Sequence, residues 1–262
     1  MTYCVGFLLK AGLVFASDSR TNAGVDYIST YSKMHVFQPT PDRLFVLMAA
    51  GNLATTQAVL NRIRRDLEVR RDGDSLPAGA PGSGGSEGPD LLDARYLFEA
   101  ADYVGRLSVA VQQAYAASLQ QAGASGEASF ILGGQIAGQP HGLCLIYPQG
   151  NAVMATQDTP FLQIGESKYG KPPLDYIGHT DLSLEDAARL CLVSQIITRR
   201  SNLTVGPPFE IAMVPANEQR VSRHLKLTKG MPEINRTMEV WSRAMREAID
   251  RLPRFPWEED PL

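Results

Sequence analysis

The stretch Arg43-Leu44-Phe45-Val46-Leu47-Met48-Ala49-Ala50 carries seven apolar residues in a row after its arginine. A half-buried strand alternates apolar and polar residues, so this run reads as a strand buried on both faces. It ends at Gly51-Asn52, and a helical pattern follows. Leu53, Thr56, Val59, Leu60, Ile63 and Leu67 recur at spacings of three and four. Asn52 is placed as the N-cap of that helix.

The N-terminal part is also strand-like. Met1–Leu9 and Leu13–Asp18 are short apolar runs, and Lys10-Ala11-Gly12 between them reads as a three-residue hairpin loop. Ile28–Ser32 and Lys33–Phe37 are expected to form a second strand pair. Residues 71–90, RDGDSLPAGAPGSGGSEGPD, are rich in Gly, Pro and Ser and read as a flexible surface insertion. A second helix is predicted from about Leu91 to Gln121, with Leu92, Tyr96, Ala100, Tyr103, Val104, Leu107 and Val111 facing inward. Four short strands follow, at Ala128–Gly134, Gly142–Tyr147, Ala152–Thr156 and Phe161–Ile164. Ser183-Leu184-Glu185-Asp186 resembles a capping box opening a helix to about Arg199. Phe209–Val214 reads as a late strand and Ile234–Leu252 as a last helix, before a Pro-rich acidic tail. Continuous apolar strands with amphipathic helices predict two stacked sheets with helices outside. The organisation expected is one domain over 1–262, with the insertion at 71–90 and a C-terminal helical extension from about residue 231.

Composition narrows the function classes. Lysine and arginine number 25 against 28 aspartates and glutamates, a net charge of −3, so no basic nucleic-acid footprint is present. Three widely spaced cysteines give neither a disulfide framework nor a zinc motif. The apolar runs fall well short of the ~20 residues that span a bilayer, and the N-terminus lacks a secretory pattern. A cytoplasmic protein is expected. His35, His141, His179 and His224 have no metal-ligand spacing. Gly165-Glu166-Ser167-Lys168-Tyr169-Gly170 invites a phosphate-loop reading, but it lacks the G-K-[ST] ending.

Four positions could carry chemistry. Removal of Met1 would give Thr2 a free α-amine beside its hydroxyl. An α-amine titrates near about 8, so one residue would hold both nucleophile and base. The three-residue loop would pair Leu9 with Leu13, Cys4 with Asp18 and Thr2 with Arg20. Positions 2, 4 and 6 would then share a face with 14, 16, 18 and 20, and Asp18 would lie diagonally next to Thr2. Gly6 and Ala16 on that face would leave room for a ligand. Lys33 opens an otherwise apolar strand; beside Thr2 it would favour the alkoxide, with Asp18 holding it in place. Gly51 lies between a buried strand and a helix N-terminus, where outward N–H groups suit an oxyanion. Each has an ordinary alternative: a Met-Thr start of no consequence, a surface Asp18–Arg20 pair, a solvated lysine, and a turn glycine.

Taken together, Thr2, Ala16-Ser17-Asp18-Ser19-Arg20, Ser32-Lys33 and Ala49-Ala50-Gly51 resemble the proteasome β-subunit family. Ile164–Pro172, which contains Gly165–Gly170, resembles the narrower bacterial ancestral beta-subunit (Anbu) branch. The resemblance covers roughly residues 2–215. It implies a four-layer αββα sandwich of the N-terminal-nucleophile hydrolase type, within the α+β class. It implies Thr2 as nucleophile, Asp18 and Lys33 as charge partners and Gly51 N–H as oxyanion donor, with Arg20, Glu166, Ser167 and Ser201 in support. Neither a metal nor an organic cofactor is implied. Self-assembly into a ring or open helix is implied, as are a peptide or amide substrate and ATP-grasp and transglutaminase-like partners. Maturation would need only the loss of Met1. Two departures stand out. Gly165-Glu166-Ser167 replaces the family's Gly-Ser-Gly, and Ser201-Asn202-Leu203-Thr204 has no aspartate where the family has Asp-x-x-Ser. They keep open a weak or inert peptide-binding scaffold, or a narrow small-molecule amidase.

Overall fold

A computed structural model describes residues 2–22, 28–71 and 88–258. Most of the insertion expected at 71–90 lies outside the described residues. The strands are β1 (Tyr3–Leu9), β2 (Gly12–Asp18), β3 (Arg20–Asn22), β4 (Ile28–Thr30), β5 (Met34–Phe37) and β6 (Arg43–Gly51). They continue as β7 (Ala128–Ile136), β8 (Gly142–Ile146), β9 (Ala152–Met154), β10 (Phe161–Gly165), β11 (Phe209–Pro215) and β12 (Arg223–Leu227). The helices are α1 (Leu53–Arg71), α2 (Leu97–Gln121), α3 (Ser167–Ile177), α4 (Leu184–Ser201) and α5 (Pro232–Asp250). One sheet runs β10-β1-β2-β11-β12, the other β5-β6-β7-β8-β9, and β3 and β4 form a small ribbon. Every pairing is antiparallel.

Three apolar clusters define the layers. Cys4, Leu13 and Phe15 of the first sheet meet Val46, Met48 and Ile131 of the second. The other face of the first sheet buries Tyr3, Val5 and Phe7 against Leu174, Ala187 and Cys191 of α3 and α4. The other face of the second buries Phe45, Leu47 and Phe130 against Val59, Ile63, Val104 and Leu107 of α1 and α2. The result is the four-layer αββα sandwich, an α+β fold. The run at 43–50 forms β6, buried on both faces as expected.

Three expectations need correction. The hairpin loop has two residues, Lys10 and Ala11, because Gly12 (φ +138°) already pairs with Leu9. Cys4 therefore opposes Ser17 and Gly6 opposes Phe15. A one-residue change of register moves every side chain of one strand to the other face. Positions 2, 4 and 6 thus do not share a face with 14, 16 and 18: Ala16 packs toward α4, and Gly6 faces the second sheet, where a Cβ would crowd Leu143. Second, 28–32 and 33–37 do not pair with each other. Arg20–Asn22 pairs with Ile28–Thr30, and Met34–Phe37 pairs with β6. Third, α2 starts at Leu97 rather than Leu91. Asp90 Oδ1 accepts from Leu92 N–H (2.8 Å) and Asp93 N–H (3.1 Å), closing a separate turn. The Glu99 carboxylate then accepts from Arg95 and Tyr96 N–H and caps the helix, which leaves Tyr96 exposed.

Candidate active site

β1 starts directly after Thr2, so whatever fixes Tyr3 fixes the backbone of the nucleophile candidate. Gln163 Nε2 donates to Tyr3 Oη (2.6 Å), Tyr3 Oη to Ser194 Oγ (2.6 Å), and Ser194 Oγ to the Gly170 carbonyl (2.6 Å). Gln195 Nε2 donates to Tyr3 O (3.1 Å). This chain of donors ties β1 to β10, α3 and α4. It also accounts for the Gly165–Gly170 stretch. A Cβ at Gly170 would crowd Ser194 and Tyr3 Oη, and one at Gly165 (φ +82°) would fall on the Thr2 carbonyl oxygen. Glu166 N–H donates to that same oxygen at 2.8 Å. Glu166 therefore contacts Thr2 through its backbone. Ser167 opens α3, and its carbonyl accepts from Gln163.

Asp18 and Lys33 form a buried ion pair. Lys33 Nζ donates to Asp18 Oδ1 and to the Arg20 carbonyl, both at 2.6 Å; Asp18 is 0% exposed and Lys33 8%. Tyr3 N–H donates to Asp18 Oδ1 (3.0 Å) and Gly206 N–H to Asp18 Oδ2 (3.2 Å). Burial pushes the Asp18 carboxyl up, while the Lys33 ammonium and the two backbone donors pull against that shift. Asp18 thus approaches the start of β1 through the Tyr3 amide, not across a face shared with Thr2. Arg20 contributes its carbonyl, and its Nη1 donates to Leu203 O (2.6 Å). That contact holds the loop that carries Gly206. Ser201 lies at the exposed C-terminal end of α4, outside the cavity lining.

Thr2, Lys33 and Gly51 line one cavity of about 450 Å³. The direction of the Gly51 amide follows from strand register. Asn52 N–H donates to Glu127 O (2.8 Å), so hydrogen-bonded pairs of β6 and β7 alternate from that point, and Gly51, opposite Ala128, is a non-bonded pair. Its N–H turns to the other edge of β6, where Ala49 N–H meets Lys33 O (3.1 Å) and β5 has not yet begun. Asn52 caps α1, accepting from Thr55 N–H at 3.1 Å, as the sequence predicts. Cys4, two residues from Thr2, is fully buried, and burial pushes its thiol up, which suits packing rather than nucleophilic attack.

Glu210 escaped the sequence reading. It is 3% exposed, in β11, and accepts from Ser19 Oγ (3.1 Å) and Ser32 Oγ (3.0 Å). Those serines directly adjoin Asp18 and Lys33, so one carboxylate ties together the backbones that carry the ion pair. Lys226 Nζ (3.6 Å) and His224 Nε2 (3.4 Å) approach it from β12. The available signal was a lone acid inside Phe209-Glu210-Ile211-Ala212-Met213-Val214. A charge in an apolar strand is buried only when it is partnered.

The helical assembly of the Anbu complex from Pseudomonas aeruginosa is 41% identical to this chain, with a TM-score of 0.83 over 99% of this chain and 100% of that one. The chain belongs to the Anbu family. Anbu from Hyphomicrobium sp. strain MC1 is 40% identical (TM-score 0.82), and Anbu, an ancestral beta-subunit, from Yersinia bercovieri is 37% identical (TM-score 0.81). Each covers 97% of this chain and is itself 99% covered. The similarity thus extends past residue 215. No protein-family model and no curated protein matches the chain.

One pH effect arises within the cavity. Burial and the nearby Arg64 charge push the His35 imidazole down to about 4, against a smaller opposite pull from Glu210. Between pH 6.5 and 4 the unfolded chain binds a proton there that the native state does not, so stability falls as the pH drops through that window. The expected loss is roughly 3 kcal/mol. His35→Gln should flatten the slope of urea-unfolding stability between pH 6.5 and 4; an unchanged slope would show that His35 does not carry it.

Proposed function

We propose that this Anbu chain is a threonine-type amide hydrolase that works as a self-assembled oligomer. The observation that carries the reading is the buried Lys33–Asp18 pair, set on the same cavity as Thr2 and the Gly51 amide. Once Met1 is removed, the Thr2 α-amine takes the hydroxyl proton as Oγ bonds to the substrate carbonyl carbon. Gly51 N–H receives the oxyanion, and the Lys33 ammonium favours the developing negative charge on Oγ. The carbon–nitrogen bond breaks, and the leaving amine takes the proton from the α-ammonium. Water, deprotonated by the freed α-amine, then attacks the Thr2 ester and releases the acid, restoring the hydroxyl. The helical assembly formed by the Pseudomonas aeruginosa relative supports a ring or open helix built from copies of this chain.

The test is intact mass before and after incubation with an α′,β′-epoxyketone peptide, which forms its cyclic adduct only with a hydroxyl and free amine on one residue. Loss of Met1 and one adduct per chain are expected, with no adduct in Thr2→Ala. Retained Met1, or an adduct that persists in Thr2→Ala, would overturn the mechanism. Loss of Met1 without an adduct, with peptides still bound, would favour an inert scaffold instead.

A further inference from the structure

The cavity has a second end. Along α1, Leu53, Gln57, Leu60, Asn61 and Arg64 line it at helical spacing, so one face of the helix forms its wall for three turns. Eleven residues separate Leu53, next to Gly51, from Arg64, a rise of roughly 16 Å. The Arg64 side chain folds back toward the chemical end, its Nη1 donating to Asn61 Oδ1 at 3.2 Å. Among the described residues, the cavity lining holds two cations, Lys33 and Arg64, and no aspartate or glutamate. Lys33 is bound to Asp18. Arg64 has no carboxylate partner among the described residues, whereas its neighbour Arg65 pairs with Asp66, and Arg70 on the same helix pairs with Asp90. Its charge acts inside the cavity, because it pushes down the His35 imidazole that lines the same space. Between the two ends the wall mixes apolar Ala49, Ala50, Leu53 and Leu60 with polar Thr56 and Gln57. The Thr2 hydroxyl at one end and, at the other, a guanidinium with no carboxylate partner among the described residues leave an electropositive space between them. It favours a side chain that ends in a carboxylate. A guanidinium holds a carboxylate bidentately, and better than it holds an amide.

We propose that this cavity binds an acidic side chain on the acyl side of the bond to be cut, with Arg64 as the residue that selects it. The hydrolytic part of this assignment rests on Thr2 as nucleophile; the binding part does not. Glutamate extends one methylene further toward Arg64 than aspartate does.

The experiment separates the two parts. Epoxyketone peptides identical except for the residue next to the warhead (Glu, Gln or Lys) are compared by rate of adduct formation. In parallel, fluorescent peptides ending in Glu-amide or Gln-amide are titrated by anisotropy against full-length Thr2→Ala. The unaltered site should prefer Glu over Gln by about tenfold or more in both assays. Arg64→Gln should bring that ratio close to one, and Arg64→Glu should shift preference to Lys. The melting temperature of each variant shows that it is folded. Selective binding without any adduct would retain the acidic subsite and remove the hydrolase reading. A Glu-to-Gln ratio near one in the unaltered protein, or a ratio that survives Arg64→Gln, would overturn the proposal.

Discussion

Lys33→Met is expected to slow reaction at Thr2 sharply and to destabilise the protein by about 3–5 kcal/mol, the latter because it leaves the fully buried Asp18 carboxylate without its partner. For a chain of this size that corresponds to a fall in melting temperature of roughly 10 °C. Adduct formation with the epoxyketone should slow by at least about 100-fold. Two further measurements distinguish charge from packing. Combining Lys33→Met with Asp18→Asn removes the orphaned charge, while the Asn side-chain oxygen still accepts from Tyr3 N–H. Stability should then recover in part and reactivity should not. The single variant's deficit should also depend on pH. Without Lys33 the folded-state Asp18 binds its proton more tightly than the unfolded chain does, so the deficit is smallest near pH 4 and grows as pH rises. A deficit that is flat with pH, or reactivity restored in the double variant, would refute the electrostatic account.

What the sequence made legible depended on whether a local pattern or a long-range pairing decided the outcome. β6 and α1 were readable because a continuous apolar run, a glycine and a capping asparagine lie next to one another, and each acts within a few residues. Thr2, Lys33, Asp18 and Gly51 stood out as polar or permissive residues at the ends of apolar strands. The structure brings Thr2, Lys33 and Gly51 to one cavity, with Asp18 behind Lys33. The hairpin face did not follow, because it turned on whether Gly12 closed the loop or opened β2, and one residue reverses every side chain. The partner of β5 lies in β6 and that of β4 in β3, choices that the segment 28–37 does not encode by itself. α3 runs against propensity: it contains Gly170, Pro172 and Pro173, and burial of Pro173 and Leu174 overrides that cost. β12 was missed because it is an edge strand whose exposed face carries charge, as edges do. The same limit applies to Gly206 and Glu210. Their roles come from side chains and amides that meet them across more than 170 residues of sequence, and no local spacing announces such a meeting.

The second large effect is expected at a residue with no side chain at all. Gly165 has φ +82° and lies against the Thr2 carbonyl, so Gly165→Ala meets two obstacles together. The left-handed conformation costs an alanine about 1 kcal/mol. The new methyl would also occupy the space of the Thr2 carbonyl oxygen, which must move and give up its 2.8 Å bond from Glu166 N–H. Tyr3 is pinned independently by Ser194, Gln163 and Gln195, so the displacement is absorbed at Thr2 itself. A shift of about 1 Å in a nucleophile can cost on the order of 100-fold in rate. Gly165→Ala should therefore lose about that much reactivity toward the epoxyketone while its melting temperature falls by only a few degrees. Lys33→Met is expected to show the opposite balance, with a large loss of stability accompanying the loss of rate. Glu166→Ala keeps the backbone N–H and should leave adduct formation within a few-fold of normal. If Gly165→Ala reacted normally, or Glu166→Ala were as inert as Thr2→Ala, Thr2 would not be positioned through this backbone contact.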